Sequence, residues 1–207
     1  MVARKKTGSS LLKQFGMTIT KENAEIPHGS SSAVLKIYEM TGHRIMRRLH
    51  LLIALAVLLL DRFTKRLVAK EISLHDSITV IKRVFYITHV ENRGAAFGLF
   101  NDSPSEWKIA LLVLFSIVAL VIVSALLWRS SHTMTATAVG LSLILGGALG
   151  NLWDRLLSGR VVDFLLVYIG SYQWPAFNVA DSAIVVGAGL LVFEILFAKT
   201  PAAEKSA

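Results

Sequence analysis

IALLVLFSIVALVIVSALLW, residues 109–128, runs for twenty residues without a charge. At about 1.5 Å per residue a helix of that length covers about 30 Å, the hydrocarbon thickness of a bilayer. Working outward, MTATAVGLSLILGGALGNLW, residues 134–153, is a second uncharged twenty. Residues 179–198 are a third stretch of twenty, apolar but holding Asp181 near its start and Glu194 near its end. Leu49–Leu60 is only twelve residues, too short alone. It reaches spanning length by continuing through Asp61-Arg62-Phe63-Thr64-Lys65 to Ala69, with those polar groups at the water boundary. The expected fold is therefore an α-helical integral membrane protein with four transmembrane helices, over residues 49–69, 109–128, 134–153 and 179–198.

Composition agrees. Hydrophobic residues make up 54% of the 207 and charged ones 17%, which excludes a disordered chain and an ordinary soluble enzyme. Zero cysteines exclude thiol chemistry, cysteine metal sites and disulfides. The net charge of +8 would suggest nucleic acid in a soluble protein; here it reads as contact with anionic lipid headgroups, so membrane lipids and not nucleic acid are the expected partners. Trp107, Trp128, Trp153 and Trp174 lie beside span ends, where amphipathic rings sit at the interface.

Four spans place loop 67–106 and loop 154–178 on one face. The other face carries the N-terminal segment, the turn around Arg129–His132 and the tail. All six aspartates, Asp61, Asp76, Asp102, Asp154, Asp163 and Asp181, fall on the first face. Lys and Arg divide 12 to 10 between tail side and aspartate side, so the positive-inside rule is nearly balanced. The Arg44, Arg47, Arg48 cluster before the first span tips the orientation towards cytoplasmic termini. Residues 1–46 lack the apolar core of a cleavable signal peptide and read as an N-terminal extension, disordered or lying at the interface. Residues 199–207 form a C-terminal cytoplasmic tail. In loop 67–106, Ser77–Ile81 and Val84–Val90 are rich in β-branched and aromatic residues and read as a small hairpin on the membrane surface. Asn92-Arg93-Gly94 then turns the chain into the small residues of Ala95-Ala96-Phe97-Gly98.

The chemistry sits at the aspartate-side boundary. Asp61 and Lys65 share a helix face at i, i+4, the spacing of an ordinary ion pair. Asn151, Asp154 and Arg155 close the third span, where Arg155 suits a helix C-terminus. Asp163 lies inside the apolar run Val161–Leu166, an expensive place for a carboxylate unless it faces a polar cavity. Asp181 opens the fourth span and by itself is a good helix-starting residue. Two carboxylates flanking one loop at a partly dry boundary cannot both ionise cheaply, so they share a proton, as in an aspartic protease. Asn151, Arg155 and Asn178 would position them. The six histidines show no metal spacing and Ser142 has no nucleophile context, so neither metal nor cofactor is expected. The rival reading is a small polytopic transporter using boundary Asp and Arg groups. Transport sites, however, lie near the midplane, and here the polar groups crowd one end.

Asp61-Arg-Phe-Thr-Lys65, Asn92-Arg-Gly94-Ala-Ala-Phe97-Gly98, Gly147-Ala-Leu-Gly150-Asn151-Leu-Trp-Asp154-Arg155, Val161-Val-Asp163-Phe164 and Phe177-Asn178-Val-Ala180-Asp181-Ser182 resemble the prolipoprotein signal peptidase family (signal peptidase II), in that family's order, across residues 47–198. The resemblance implies an aspartic endopeptidase of the bacterial plasma (inner) membrane, inhibited by globomycin. It would remove signal peptides from diacylglyceryl-modified prolipoproteins by cutting before the lipid-modified cysteine. It implies Asp163 and Asp181 as the catalytic pair, with Asp61, Lys65, Asn92, Gly94, Asn151, Asp154, Arg155, Asn178 and Ala180 supporting the site or holding substrate. It further implies an active site on the outer face and a small extracytoplasmic β-structured cradle. Residues 1–46 fall outside it, and the sequence sets no oligomeric state.

Overall fold

The computed structural model describes residues 30–94 and 106–197. The proposed small-residue segment 95–98, Asp102 and the C-terminal tail lie outside the described residues. The chain divides into two compact units, Met1–Gly42 and His43–Ala207. Of the first, the described part is the start of helix α1, Ser30–Glu71. The second continues α1 and adds strands β1, Ser77–Ile81, and β2, Phe85–Asn92, then helices α2, Glu106–Ser130, and α3, Ala136–Ser158. Strands β3, Val161–Ile169, and β4, Tyr172–Gln173, lead into helix α4, Val179–Phe197.

Three helices among the described residues are long and apolar enough to cross a membrane: Ile109–Ser130, Ala136–Ser158 and Val179–Phe197. The fourth expected span, within α1, is not among them. Its charge-free run is short, bounded by Arg47 and Arg48 on one side and Asp61, Arg62, Lys65 and Arg66 on the other. The third span also ends later than expected. Asn151, Asp154 and Arg155 are not at the terminus of α3; the helix continues past them to Ser158. Gly159, at φ +67°, closes it by donating its N–H to the Arg155 carbonyl at 3.0 Å.

α3 is the most enclosed of the three and α2 the most exposed. Its start is fixed by Thr135, whose hydroxyl accepts from the Ala138 N–H at 3.1 Å. α3 lies against α4 with almost no side chain between them. A Cβ on Gly140 would stand 2.7 Å from the Gly187 carbonyl oxygen, and one on Gly187 would stand 2.5 Å from that of Gly140. Lipid offers helices no hydrophobic drive to associate, so this close backbone approach supplies much of the contact.

The strands form a four-stranded antiparallel sheet in the order β1-β2-β3-β4. The expected hairpin forms its first half, with Val84 in the turn and the second strand reaching Asn92. β3 was not anticipated: the apolar run around Asp163 is a strand paired to β2, not a loop. Phe164 packs with Val68 and Ile72, seating the sheet on the end of α1. A bulge between Ile87 and Val90 moves the register so that Val90 faces Asp163 and Asn92 faces Val161. Phe177 then binds β3 at three points, accepting from Phe164 and Leu165 N–H groups at 2.9 and 2.8 Å and donating to the Leu165 carbonyl at 3.0 Å. That pairing brings the chain entering α4 back alongside Asp163.

Replacing Gly140 by Leu forces α3 and α4 apart and should lower stability by about 1–3 kcal/mol, the usual range for overpacking. Thermal unfolding of the detergent-solubilised chain measures it; an unchanged midpoint would contradict the close approach.

Candidate active site

The inner layer begins with Asp61 and Lys65, one turn apart on α1 and buried at 0% and 2% exposure. The Lys65 ammonium lies 2.7 Å from Asp61 Oδ2 and 2.8 Å from Asp154 Oδ2, and donates to Asn151 Oδ1 at 2.9 Å. The ammonium thus has one hydrogen-bond acceptor and two carboxylate oxygens in ion-pair contact, drawn from two helices. Arg62 pairs with the other oxygen of Asp154. Gly150 leaves the room this needs, since a Cβ there would stand 2.6 Å from Asp61 Oδ2. Asp61 also reaches a third helix, where its Oδ1 accepts from the Ala180 N–H at 3.0 Å. A carboxylate at that first turn of α4 meets an unpaired backbone donor and the positive end of the dipole.

The outer layer hangs on two asparagines. Asn178 caps α4: its Oδ1 accepts from the Asp181 N–H at 2.9 Å, while Asp181 Oδ2 accepts from the Asn178 N–H at 3.2 Å. This is a reciprocal capping box with Asp in the usual Glu position. The Asn178 amide meanwhile donates to Asp163 Oδ1 at 2.7 Å. Asn151, which accepts from Lys65, donates its own amide to Asp181 Oδ1 at 2.8 Å. Asp163 takes a second bond from Asn92 at 3.0 Å, and Asn92 is oriented by accepting from the Gly94 N–H at 2.8 Å. Arg155 donates to the carbonyls of Asn151 and Gly94, at 3.4 and 3.5 Å.

Burial pushes the Asp163 carboxyl up to about 6, and the charge on Asp181 pushes in the same direction. The amides of Asn92 and Asn178 and the Lys65 charge oppose the rise without cancelling it. Charge balance points the same way. Asp61 and Asp154 are matched by Lys65 and Arg62, which leaves Arg155 as the cation facing both Asp163 and Asp181. One positive charge against two carboxyls is neutral when the pair holds one proton.

Both carboxyls line a cavity of about 750 Å³. Its polar end holds Asn92, Asn151 and Arg155 beside them; its apolar walls come from α2, α3 and α4, including Phe115, Ala119, Ile144 and Val185. The arrangement suits a water molecule between two carboxyls at the end of an apolar channel. Asp61, Lys65, Asp154 and Ala180 stand behind it and do not line the cavity; Gly94 contributes backbone groups alone. The sequence reading missed Arg62 as the partner of Asp154, and Trp174, Phe177 and Ser182 as cavity-lining residues. No spacing rule links Arg62 to a residue on another helix, whereas Phe177 and Ser182 stood at the ends of a motif already singled out. Among the described residues no three His, Cys, Asp or Glu side chains gather to hold a metal ion.

Comparison with known proteins adds the following. Residues 53–197 match the family described as signal peptidase (SPase) II. A lipoprotein signal peptidase of Solibacter usitatus is 49% identical over 74% of this chain and 94% of the relative. One of Desulforapulum autotrophicum is 47% identical over 72% of this chain and 93% of the relative. A bacterial membrane enzyme solved by the in meso method at 2.3 Å superposes with a TM-score of 0.67 at 32% identity, covering 76% of this chain and 93% of that one.

Lys65→Met leaves the buried Asp61 carboxylate without its cation and Asp154 with Arg62 alone, and should destabilise by about 3–5 kcal/mol; adding Asp61→Asn should restore part of the loss. Unfolding in detergent with increasing denaturant reads this; equal stability of Lys65→Met and the parent would refute the network. Since Asp163 titrates near 6 when folded and near 3.8 otherwise, the fold holds its proton more tightly. Stability should therefore fall as pH rises from 4 through 6. Isotope-edited infrared spectroscopy should show its protonated carboxyl band vanishing near pH 6, and at lower pH in Asp181→Asn. A band already absent at pH 5 would contradict the assignment.

Proposed function

The chain belongs to the signal peptidase II family, and from that membership we propose that it is a membrane-embedded aspartic endopeptidase with Asp163 and Asp181 as its catalytic pair. Its substrates are diacylglyceryl-modified prolipoproteins, cut just before the lipid-modified cysteine. The observation that carries this reading is the placement of both carboxyls on one cavity wall, each bonded to Asn178, where polar and apolar linings meet.

The steps follow from one shared proton. The ionised member takes a proton from water, and the resulting hydroxide attacks the scissile carbonyl carbon. The protonated member gives its proton to the carbonyl oxygen, producing a neutral tetrahedral diol. On collapse the first carboxyl returns its proton to the departing nitrogen and the second recovers one from a diol hydroxyl, restoring the pair. A new carboxyl and a new amine leave, and atoms and protons balance. Arg155 keeps the pair at one negative charge, Asn92, Asn151 and Asn178 hold both carboxyls in place, and Gly94 and Ala180 contribute backbone groups. Asp61, Lys65 and Asp154 hold the helices that carry them. The substrate's apolar signal segment and acyl chains suit the apolar walls, because both belong at bilayer depth.

In this reading the protein is a multi-pass component of the bacterial inner membrane. α1 is its fourth span, supported by the outward-facing Leu51, Leu52, Leu55, Leu59 and Leu60. Both termini are cytoplasmic, and the sheet forms a cradle over an active site at the outer face. Asp163→Asn and Asp181→Asn should each lower cleavage of a diacylglyceryl-modified precursor by about 10³-fold or more while the protein stays folded. Globomycin should block the parent enzyme. Turnover retained in either folded variant would count against the pair, and solute flux in proteoliposomes without peptide cleavage would favour the transporter reading.

A further inference from the structure

The stripe of α1 that carries Asp61 and Lys65 continues back through Val57, Ala54, His50, Arg47 and His43, at alternating spacings of three and four. Arg47 is about 27 Å along the helix from Lys65. At this far end α1 meets the close of α2 and the turn into α3. The Arg47 guanidinium lies over Trp128, 4.2 Å from the ring centre, and the His43 ring rests against His132 at 4.6 Å.

What is unusual is the set of buried nitrogens left without partners. Arg47 Nε, His132 Nδ1 and both ring nitrogens of His50 have no hydrogen-bond partner among the described residues. Elsewhere in the described residues the comparable atoms are His89 Nε2 and two carboxylate oxygens that face Lys65. Arg44, Arg48 and Arg129 stand exposed around the cluster. No ion pair among the described residues ties any of these arginines to a carboxylate. The nearby acid, Glu194, is engaged in accepting from the Thr137 N–H. The buried Arg47 Nε–H calls for an acceptor, the unpartnered ring nitrogens beside it leave the place polar, and the local charge calls for an anion.

We infer that Arg47 and His132, with Arg44, Arg48 and Arg129 around them, bind the phosphate of an anionic lipid headgroup at the end of the helices opposite Asp163 and Asp181. A phosphate offers several strong acceptors to a guanidinium fork. Stacking on Trp128 holds that fork in position before the ligand arrives. Trp128 ends an apolar span, which places the site at headgroup depth and makes a lipid, and not a free ion, the source of the phosphate. His50, one turn further along the same stripe, has no exposed surface. The inference stands apart from the peptidase reading, since it uses none of that site's residues.

Native mass spectrometry of the full chain, titrated with phosphatidylglycerol, phosphatidylcholine or inorganic phosphate, tests it. Saturable binding of phosphatidylglycerol is expected, at least tenfold tighter than phosphatidylcholine and not displaced by millimolar phosphate. Arg47→Gln should weaken it by about fivefold, the usual contribution of one basic side chain near an anionic surface. His132→Gln should weaken it too, and Arg47→Lys should recover only part, having charge without the fork. Unchanged precursor cleavage by these variants certifies their fold; if Arg47→Gln fails that check, His132→Gln and Arg47→Lys decide. Loss on Arg44→Gln/Arg48→Gln with no effect of Arg47 or His132 variants would reduce the site to diffuse attraction and overturn the proposal. So would equal binding of the two lipids, or tighter binding of free phosphate.

Discussion

An ammonium group sealed from water needs countercharge and an acceptor at close range, and Lys65 finds them in the Asp61 and Asp154 carboxylates and the Asn151 amide oxygen. The polar contacts around the cavity lean on that arrangement. Asp61 is held where its second oxygen reaches the first turn of α4, and Asn151 is turned so that its amide points at Asp181. Because Asn151 receives from the lysine and gives to the carboxyl, the buried ion group and the cavity are one continuous network. Its price is the desolvation of several charges, which is tolerable only because cations and carboxylates are matched.

That matching has a chemical result. With Lys65 and Arg62 paired to Asp61 and Asp154, Arg155 is the cation left over to balance the cavity pair. The low-dielectric site is neutral with a single proton on Asp163 and Asp181, and the raised affinity of Asp163 for protons expresses the same balance. The layer that stabilises the helix contacts therefore also favours the protonation state that the proposed chemistry uses. About five turns back along α1 the same helical stripe carries Arg47 with no ion pair to an acid among the described residues, so one helix face holds a closed charge system around Lys65 and an open one around Arg47.

Much of this was legible in the residue order, for identifiable reasons. Charge-free twenties announce helices α2 and α3, and an apolar twenty with acids only near its ends announces α4, through length and composition alone; Asp163 declares itself by standing in an apolar run. The i, i+4 spacing of Asp61 and Lys65 gave their pairing. What was hidden depends on contacts between distant segments. β3 looked like loop because its apolar residues pair with β2 and the Phe177 segment, partners no local pattern names. The bulge that lets Asn92 meet Asp163 is invisible for the same reason, and so is the pairing of Arg62 with Asp154. The end of α3 was placed too early because Trp153-Asp154-Arg155 resembles a membrane boundary, whereas the terminating signal is Gly159. The α1 span lies between these cases, since its short apolar run flanked by charges fits a boundary helix as well as a crossing one.

The account rests on a water molecule activated directly by the Asp163 and Asp181 pair, with no covalent enzyme intermediate. A single-turnover cleavage of a diacylglyceryl-modified precursor in oxygen-18 water, with mass spectrometry of the released signal peptide, measures this most directly. The prediction is one solvent oxygen in the new carboxyl group from the first turnover, with both aspartates unlabelled. A first-turnover product that carries an unlabelled oxygen, with the heavy isotope found in either aspartate, would contradict it.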